Sequence, residues 1–449
     1  MLAASCTEHQ SNTVSLLPEP KMPQLGERLQ KLNSRYKIRF LPDGYPGKLL
    51  EDNTIYPHPL YGNYVLNDYL SQYKKEEKKE LYDAILKVAD AAISRMTEKD
   101  SALIFWYEPY KKFRYDEPFY SGLAQSSYLV PMYKVYQLSG DEKYKQASEK
   151  ILNSLMVPIE ENGIFLNYNG IVSIEEKPEE PPTVILNGWL SALASIKRYY
   201  NLSSSEKALK LLTVSLKTLP GILYKYDCEP YKNTRYLLSG YQQFRMAIEE
   251  EDELEIQSIK IKNTETYIYE LEAKNKSERH NYHNYLRAED VEKSENGYAP
   301  LANHVHFNVV MSRLSFPKKN VLYIDVYNQE ENNTLELQRL KYHFSAKKGV
   351  VNNKEWLIDT TLILQQGKHH LEIPLYWEKF PLVGYPTTFK KLGDEFYNVY
   401  HFIHINRLKQ LNQLAQNDTI DYYINKWEKY TSQWPKMEIY EGLNHHAYK

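Results

Sequence analysis

From Lys75 onward the apolar positions Leu81, Ile85, Val88, Ala92 and Met96 recur at steps of three and four, the spacing of a helix with one buried face. The same spacing predicts helices over 120–138 and 142–155, with Ser139-Gly140-Asp141 as the turn between them. It predicts two more over 184–200 and 205–219, joined by the cap-rich Asn201-Leu202-Ser203-Ser204, and a further one over about 234–249. Beyond residue 253 the period changes to two: Val321, Tyr323, Asp325 and Tyr327 alternate with Leu322, Ile324 and Val326. Segments 257–261, 266–271, 304–310, 335–343 and 362–373 read as further strands, with turns at Lys318-Lys319-Asn320 and Gly367-Lys368. Helical spacing returns after Phe396, in Phe402, Ile405, Leu408, Leu411 and Leu414; Asn417-Asp418 breaks it, and a last helix carries Ile424 and Trp427. The expected fold is therefore mainly α: an α/α toroid, or partial barrel, of helical hairpins with a β-sandwich or jelly-roll-like module inserted. The expected domains are a helical catalytic domain over 21–250 and 395–449 and a β-rich insert over 251–394, preceded by a linker over 1–20.

Composition narrows the function. The 449 residues carry a formal net charge of -2, which argues against nucleic acid as a partner. An anionic polysaccharide stays open, because one basic cleft can sit on a neutral protein. The chain holds 41 Tyr, 13 Phe and 6 Trp, and rings with a flat apolar face and a polar tip suit sugars. Two cysteines, Cys6 and Cys228, cannot make a disulfide framework. Leu2-Ala3-Ala4-Ser5-Cys6 reads either as the tail of a lipoprotein signal, with Cys6 as the lipid anchor, or as a chance run of small residues. The first reading puts the protein in the cell envelope or outside the cell, on a leash over 7–20; the second leaves the cytoplasm open. Phosphate loops, zinc-type cysteine clusters and a nucleophile elbow are absent from the sequence, so no cofactor is expected. His304-Val305-His306 and His369-His370 have ligand types, but an i, i+2 pair on a strand is ordinarily one face of a sheet, and no metal is assigned.

Four segments carry a more specific pattern. They are Tyr56-Pro57-His58-Pro59 with Tyr61-Gly62-Asn63-Tyr64, then Pro118-Phe119-Tyr120-Ser121-Gly122-Leu123-Ala124-Gln125. The third is Val184-Ile185-Leu186-Asn187-Gly188-Trp189, behind the acidic Glu175-Glu176-Lys177-Pro178. The fourth, and the most specific, is Tyr400-His401-Phe402-Ile403-His404-Ile405-Asn406-Arg407-Leu408. In this order they resemble the D-glucuronyl C5-epimerase family, over 56–250 and 395–432. The resemblance implies a dimer that acts on a uronate-containing polysaccharide such as heparosan.

Epimerisation at carbon 5 removes a proton next to a carboxylate and returns one from the opposite face. It needs a base, an acid and donors aimed at the sugar carboxylate. Carried over by motif, the resemblance implies Glu176 and Tyr400 as the flanking pair, with Tyr231 as a further catalytic tyrosine and Arg235 as the carboxylate clamp. It also implies Tyr120, Gln125, Asn187, His401, His404 and Asn406 as substrate-binding, and Lys177 is a further substrate-binding candidate for an anionic glycan. Glu179 and Glu180 are expected to face solvent, and Lys111, Lys112 and Arg114 are further basic candidates. Three features depart from the family. Lys177 stands where it has an aromatic residue, the β-rich insert between the last two motifs is not where animal members keep theirs, and the Tyr231–Arg235 spacing is one residue longer. Other activities share this chemistry: a polysaccharide lyase removes the same proton and expels the group at carbon 4, and a glycoside hydrolase needs two carboxylates about one bond. A non-catalytic glycan-binding lipoprotein is the reading from another class.

Overall fold

The computed structural model describes residues 19–109, 117–249, 254–414 and 416–448. Cys6, most of the 7–20 leash, and Lys111, Lys112 and Arg114 lie outside the described residues. The chain divides into two compact units. One takes the residues up to Ile164 together with Ser195–Leu209; the other takes Phe165–Ala194 and the chain from Lys210 onward.

The first unit is built on helices α1 (Glu27–Tyr36), α2 (Pro59–Glu76), α3 (Lys79–Ser94), α4 (Gly122–Ser139) and α5 (Glu142–Ser154). α3 buries Leu81, Ile85, Val88 and Ala92, the face its spacing predicts. α2 begins where Pro59 can occupy a first-turn position without losing a hydrogen bond, and His58 Nδ1 caps it by accepting from the Leu60 N–H at 3.3 Å. Gly140, at φ 74°, ends α4, and the Asp141 carboxylate caps α5 one residue later. Helices α6 (Leu186–Ser203) and α7 (Glu206–Thr218) contribute residues to both units.

The second unit holds α8 (Leu223–Tyr226), a ten-stranded sheet, α9 (Val399–Asn412) and α10 (Asp418–Thr431). The axis of the sheet is the 26-residue strand Asn320–Ser345. Gly349–Leu375 runs antiparallel along its whole length. On its other edge the first half pairs with Leu254–Lys262 and the second half with Ser239–Ile248. His304–Ser312 then pairs with Ser239–Ile248. A strand shared this way wraps the sheet into a nearly closed, barrel-like shape. Its inward residues, among them Phe244, Met246, Ile259, Phe307, Val309, Leu322, Ile324 and Leu337, fill one apolar core.

With 39% helix and 33% strand the chain is a mixed α and β protein, not mainly α. Part of the difference lies in 234–249, expected as a helix. There Phe244, Met246 and Ile248 are buried while Gln243, Arg245 and Ala247 between them are half-buried, a period of two, and Ser239–Ile248 is a strand. Gly367-Lys368 is not a turn either. Gly367, at φ 120°, sits inside the long strand opposite Asn328, where the pairing register shifts. No helix among the described residues is long and apolar enough to cross a membrane.

Candidate active site

The strand Ile171–Ile174 ends at two adjacent carboxylates with opposite surroundings. Glu175 is fully buried and fully occupied. Its Oε1 accepts the Ser173 hydroxyl at 2.8 Å, and its Oε2 accepts the Val184 N–H at 2.9 Å and the Thr183 hydroxyl at 3.3 Å. Val184 sits at φ 44°, a left-handed conformation that a β-branched side chain rarely takes. It is pinned from both sides, since its carbonyl accepts the Tyr226 hydroxyl at 2.7 Å. Two residues later α6 begins, so the Glu175 carboxylate fixes where that helix starts. Burial pushes Glu175 up to about 7, against the pull of its three donors.

Glu176 has the reverse arrangement. Its Oε2 is shielded from water and accepts no hydrogen bond. Burial first, and the neighbouring Glu175 charge second, push this carboxyl up to about 7. A Cβ on Gly188, in the first turn of α6, would lie 2.4 Å from that oxygen. Glycine here is what lets the carboxylate lie against the helix. The Asn187 side-chain oxygen, one residue before Gly188, is also buried without a donor. A buried acceptor without a donor is an opening for a ligand that supplies one.

A wall of tyrosines completes the site. The Tyr236 N–H donates to the Tyr385 carbonyl at 2.9 Å, and the two rings stack with centres 5.7 Å apart. Tyr400, in the first turn of α9, sets its ring edge-on to Tyr236 at 4.9 Å. Tyr385 and Tyr282 line the same pocket, and each acts electrostatically on the other. The Glu176 charge acts on both Tyr236 and Tyr385. Burial, with that charge and Tyr400 beside it, holds the Tyr236 phenol far above its usual range, and burial pushes Tyr385 up to about 12. Both are therefore protonated at neutral pH. All four tyrosines are half-buried, each with part of its surface open.

The other residues singled out by motif have structural occupations. Tyr231 packs its ring on Phe344, centres 4.9 Å apart, in a separate apolar cluster; the tyrosine beside Tyr400 is Tyr236. Arg235 is buried and donates Nη1 to the carbonyls of Pro381, Val383 and Gly384 at 2.7, 3.1 and 2.9 Å, so it clamps a turn instead of a sugar carboxylate. His401 and His404 are fully buried: both Nδ1 atoms share the Thr234 hydroxyl, at 3.1 and 2.8 Å, and His401 Nε2 reaches the Trp427 carbonyl at 3.0 Å, while His404 Nε2 has no hydrogen-bond partner. Burial lowers both imidazoles, His401 to about 4, so the pair is neutral. Asn406 points to solvent on the other side of α9.

Lys177 forms an ion pair with Glu179 at 2.7 Å, which leaves Glu180 as the exposed carboxylate of that run. In the first unit Tyr120 and Gln125 are core residues. Tyr120 donates its hydroxyl to the Ser154 carbonyl at 3.0 Å. Gln125 accepts from the Phe105 N–H and donates to the Leu103 carbonyl and the Ser154 hydroxyl. His306 pairs with Asp290 at 2.8 Å, and no group of three or more candidate ligands for a metal occurs among the described residues.

Tyr236, Tyr282 and Tyr385 were not singled out by sequence. Tyr236 directly follows Arg235, where the family spacing runs one residue long, and that offset is the one signal that points to it. Tyr282 and Tyr385 come from loops around the sheet, with no periodicity to mark them.

Three comparisons bear on this chain. A family model described as the D-glucuronyl C5-epimerase C-terminus matches residues 95–249. An uncharacterised protein of Methanocaldococcus jannaschii is 28% identical over 159 residues, covering 33% of this chain and 50% of that protein, so the match spans about half the length of the relative. Among solved structures, the endo-β-1,4-glucanase CMCax of Acetobacter xylinum is 8% identical, with 46% of this chain and 60% of that chain covered, at a TM-score of 0.33. The cellobiose 2-epimerase of Bacillus thermoamylovorans is 16% identical, with 44% and 53% covered, at a TM-score of 0.30. Tyr282, Tyr385 and Tyr400 lie beyond the matched segment, whereas Glu176, Gly188 and Tyr236 lie inside it, so the likeness to the D-glucuronyl C5-epimerase C-terminus is carried by residues 95–249.

Proposed function

We propose that this chain is a carbohydrate-modifying enzyme that inverts carbon 5 of a uronate residue within an anionic polysaccharide. One observation carries the reading: the Glu176 oxygen without a donor, pushed up to about 7, set among protonated tyrosines. A carboxylate near neutrality is a competent base whose proton affinity matches the working pH. It takes the C5 proton and becomes the acid, while the electron pair left on carbon 5 spreads onto the sugar carboxylate. Tyr400 delivers its phenolic proton to carbon 5 from the opposite face. Tyr236, edge-on to Tyr400, steadies the phenolate, and exchange with water then returns a proton to Tyr400 and removes one from Glu176 before the next turnover. The Tyr385 and Tyr282 hydroxyls provide donors for the charge that builds on the sugar carboxylate. The acidity of the C5 proton comes from the substrate's own carboxylate, so these side chains suffice.

The test is incubation with heparosan in deuterated water. Deuterium should appear at C5 of the uronate, with both C5 configurations in the product. An unsaturated product, seen as rising ultraviolet absorbance, would reassign the same base to a lyase. Absence of both would sink the proton-abstraction reading.

A further inference from the structure

The strand Gly349–Leu375 forms one margin of the sheet in the second unit. Among the described residues it pairs only with Asn320–Ser345, so the N–H and C=O groups along its other side have no ladder partner. Proteins guard such an edge with lysine, proline or short length, because it templates further pairing. This edge runs about 60 Å from Lys354 to Glu372, at ~3.3 Å per residue, and its middle is unguarded. From Thr360 to Gln366 the sequence Thr-Thr-Leu-Ile-Leu-Gln-Gln carries neither charge nor proline. Leu362 and Leu364 turn into the core, which leaves Ile363 on the outer face, 72% exposed, with Ile358 at 59%. Asp359, the charge nearest the middle, is withdrawn: Arg339 Nε and Lys379 Nζ both take its Oδ1, at 3.0 Å.

The strand is also its own complement. Its pairing with Asn320–Ser345 is irregular at Asp359, an extra residue between Ile358 and Thr360, and again beside Gly367. Asp359 and Gly367 are equidistant from Ile363. Each irregularity reverses which positions face outward: beyond Gly367, Leu371 and Ile373 pack on the core, while Lys368, His370 and Glu372 are exposed. A second copy laid antiparallel on this edge, with a two-fold axis at Ile363, sets irregularity against irregularity and outward positions against outward ones. Ile363 then meets Ile363, Ile358 meets Lys368, Trp356 meets His370, and Lys354 comes level with Glu372 on both sides of the axis. No like charges face each other. A register centred on Thr361 would oppose Lys354 to Lys368 instead.

We propose that Gly349–Leu375 is an interface between two copies of this chain, which pair antiparallel through it about a two-fold axis at Ile363 and join their sheets into one. Because the edge pairs with itself, the contact closes at two copies and does not propagate.

The test is sedimentation equilibrium on the full chain, joined to amide hydrogen exchange. The wild type should be a dimer, and exchange over 356–370 should slow as protein concentration rises. Ile363→Lys sets two ammonium groups side by side at the axis, on a position the single chain leaves in solvent. It should weaken the dimer roughly tenfold or more, with the circular dichroism spectrum unchanged. Lys354→Glu places a glutamate level with Glu372 twice and should weaken it about two- to tenfold; adding Glu372→Lys should restore wild-type affinity. A monomeric wild type overturns the interface and leaves the edge to a strand from another protein or to water. A dimer that Ile363→Lys leaves at wild-type affinity, or whose exchange over 356–370 ignores concentration, is held elsewhere and overturns it too. Failure of Glu372→Lys to relieve Lys354→Glu overturns the pairing about Ile363.

Discussion

Glu175 and Glu176 are neighbours in sequence, each with its carboxyl buried and raised to about 7, yet they hold opposite positions. Glu175 takes three hydrogen bonds and fixes a left-handed valine. Glu176 takes none at Oε2 and touches only the space a glycine leaves. A buried acceptor with its donors in place lowers the free energy of the fold. One without donors raises it, and persists where a ligand completes it. The same contrast separates the two polar groups on α9. His401 is tied at both nitrogens, to Thr234 and to the Trp427 carbonyl, while Tyr400 faces the tyrosine wall.

The largest effect should come from removing the reacting groups. Glu176→Gln keeps size and shape but cannot take a proton, and Tyr400→Phe keeps the ring but cannot give one. Deuterium incorporation should fall by about 10²–10⁴-fold in each, with melting temperature unchanged or higher in the first. Retention of most of the wild-type rate by either would break the pair. Next in size is Gly188→Ala. The added methyl would lie 2.4 Å from the Glu176 Oε2 and 3.0 Å from its Cβ, so the carboxylate must swing away and the chain at Glu176 must give slightly. Shifting the base by about 1 Å is expected to cost about 10²-fold in kcat/KM. Wild-type activity in a folded Gly188→Ala protein would mean that the position of Glu176 does not matter.

Glu175→Ala should do the converse. It strands the Ser173 and Thr183 hydroxyls and the Val184 N–H, and frees a strained residue ahead of α6. A stability loss of about 1–3 kcal/mol by denaturant melt is expected. Should Glu175→Ala instead leave stability intact and abolish turnover, the assignment of the two carboxylates would be reversed.

What the sequence disclosed follows the same division. Periodic elements were readable: the buried face of α3, the hairpin of α4 and α5, and the alternation at 321–327 all report burial directly. The segment at 239–248 was misread because its tyrosine, glutamines and arginine blur a short alternation before the apolar end declares it. Motif matching put Glu176 and Tyr400 forward together with Tyr120, Gln125, His401 and His404, and of these the last four are polar residues of packed interiors. A motif fixes residue type, and only coordinates tell which buried polar atoms already have partners. Tyr282 and Tyr385 come from loops, where nothing in the local spacing marks a side chain that meets another about a hundred residues away.

The smallest effect, and the subtlest, is on pH dependence. An ordinary glutamate in the unfolded chain has a pKa near 4.5, and Glu176 in the folded chain is raised to about 7, chiefly by burial. Folding therefore holds a proton on this group that the unfolded chain releases. Its contribution to stability is fully present below about 4.5 and is lost as pH rises through about 7. Catalysis has the opposite sign, because the base acts only when ionised, so kcat/KM should climb over the window in which this contribution to stability declines. Glu176→Gln cannot ionise and should shed its part of the slope. The melting temperature of the variant minus that of the wild type should rise from pH 5 to pH 8, while Glu175, still titrating, keeps some slope in both proteins. A difference that stays flat across that range would mean that Glu176 is already ionised in the fold near its ordinary pKa, and that the donor it lacks is supplied by water.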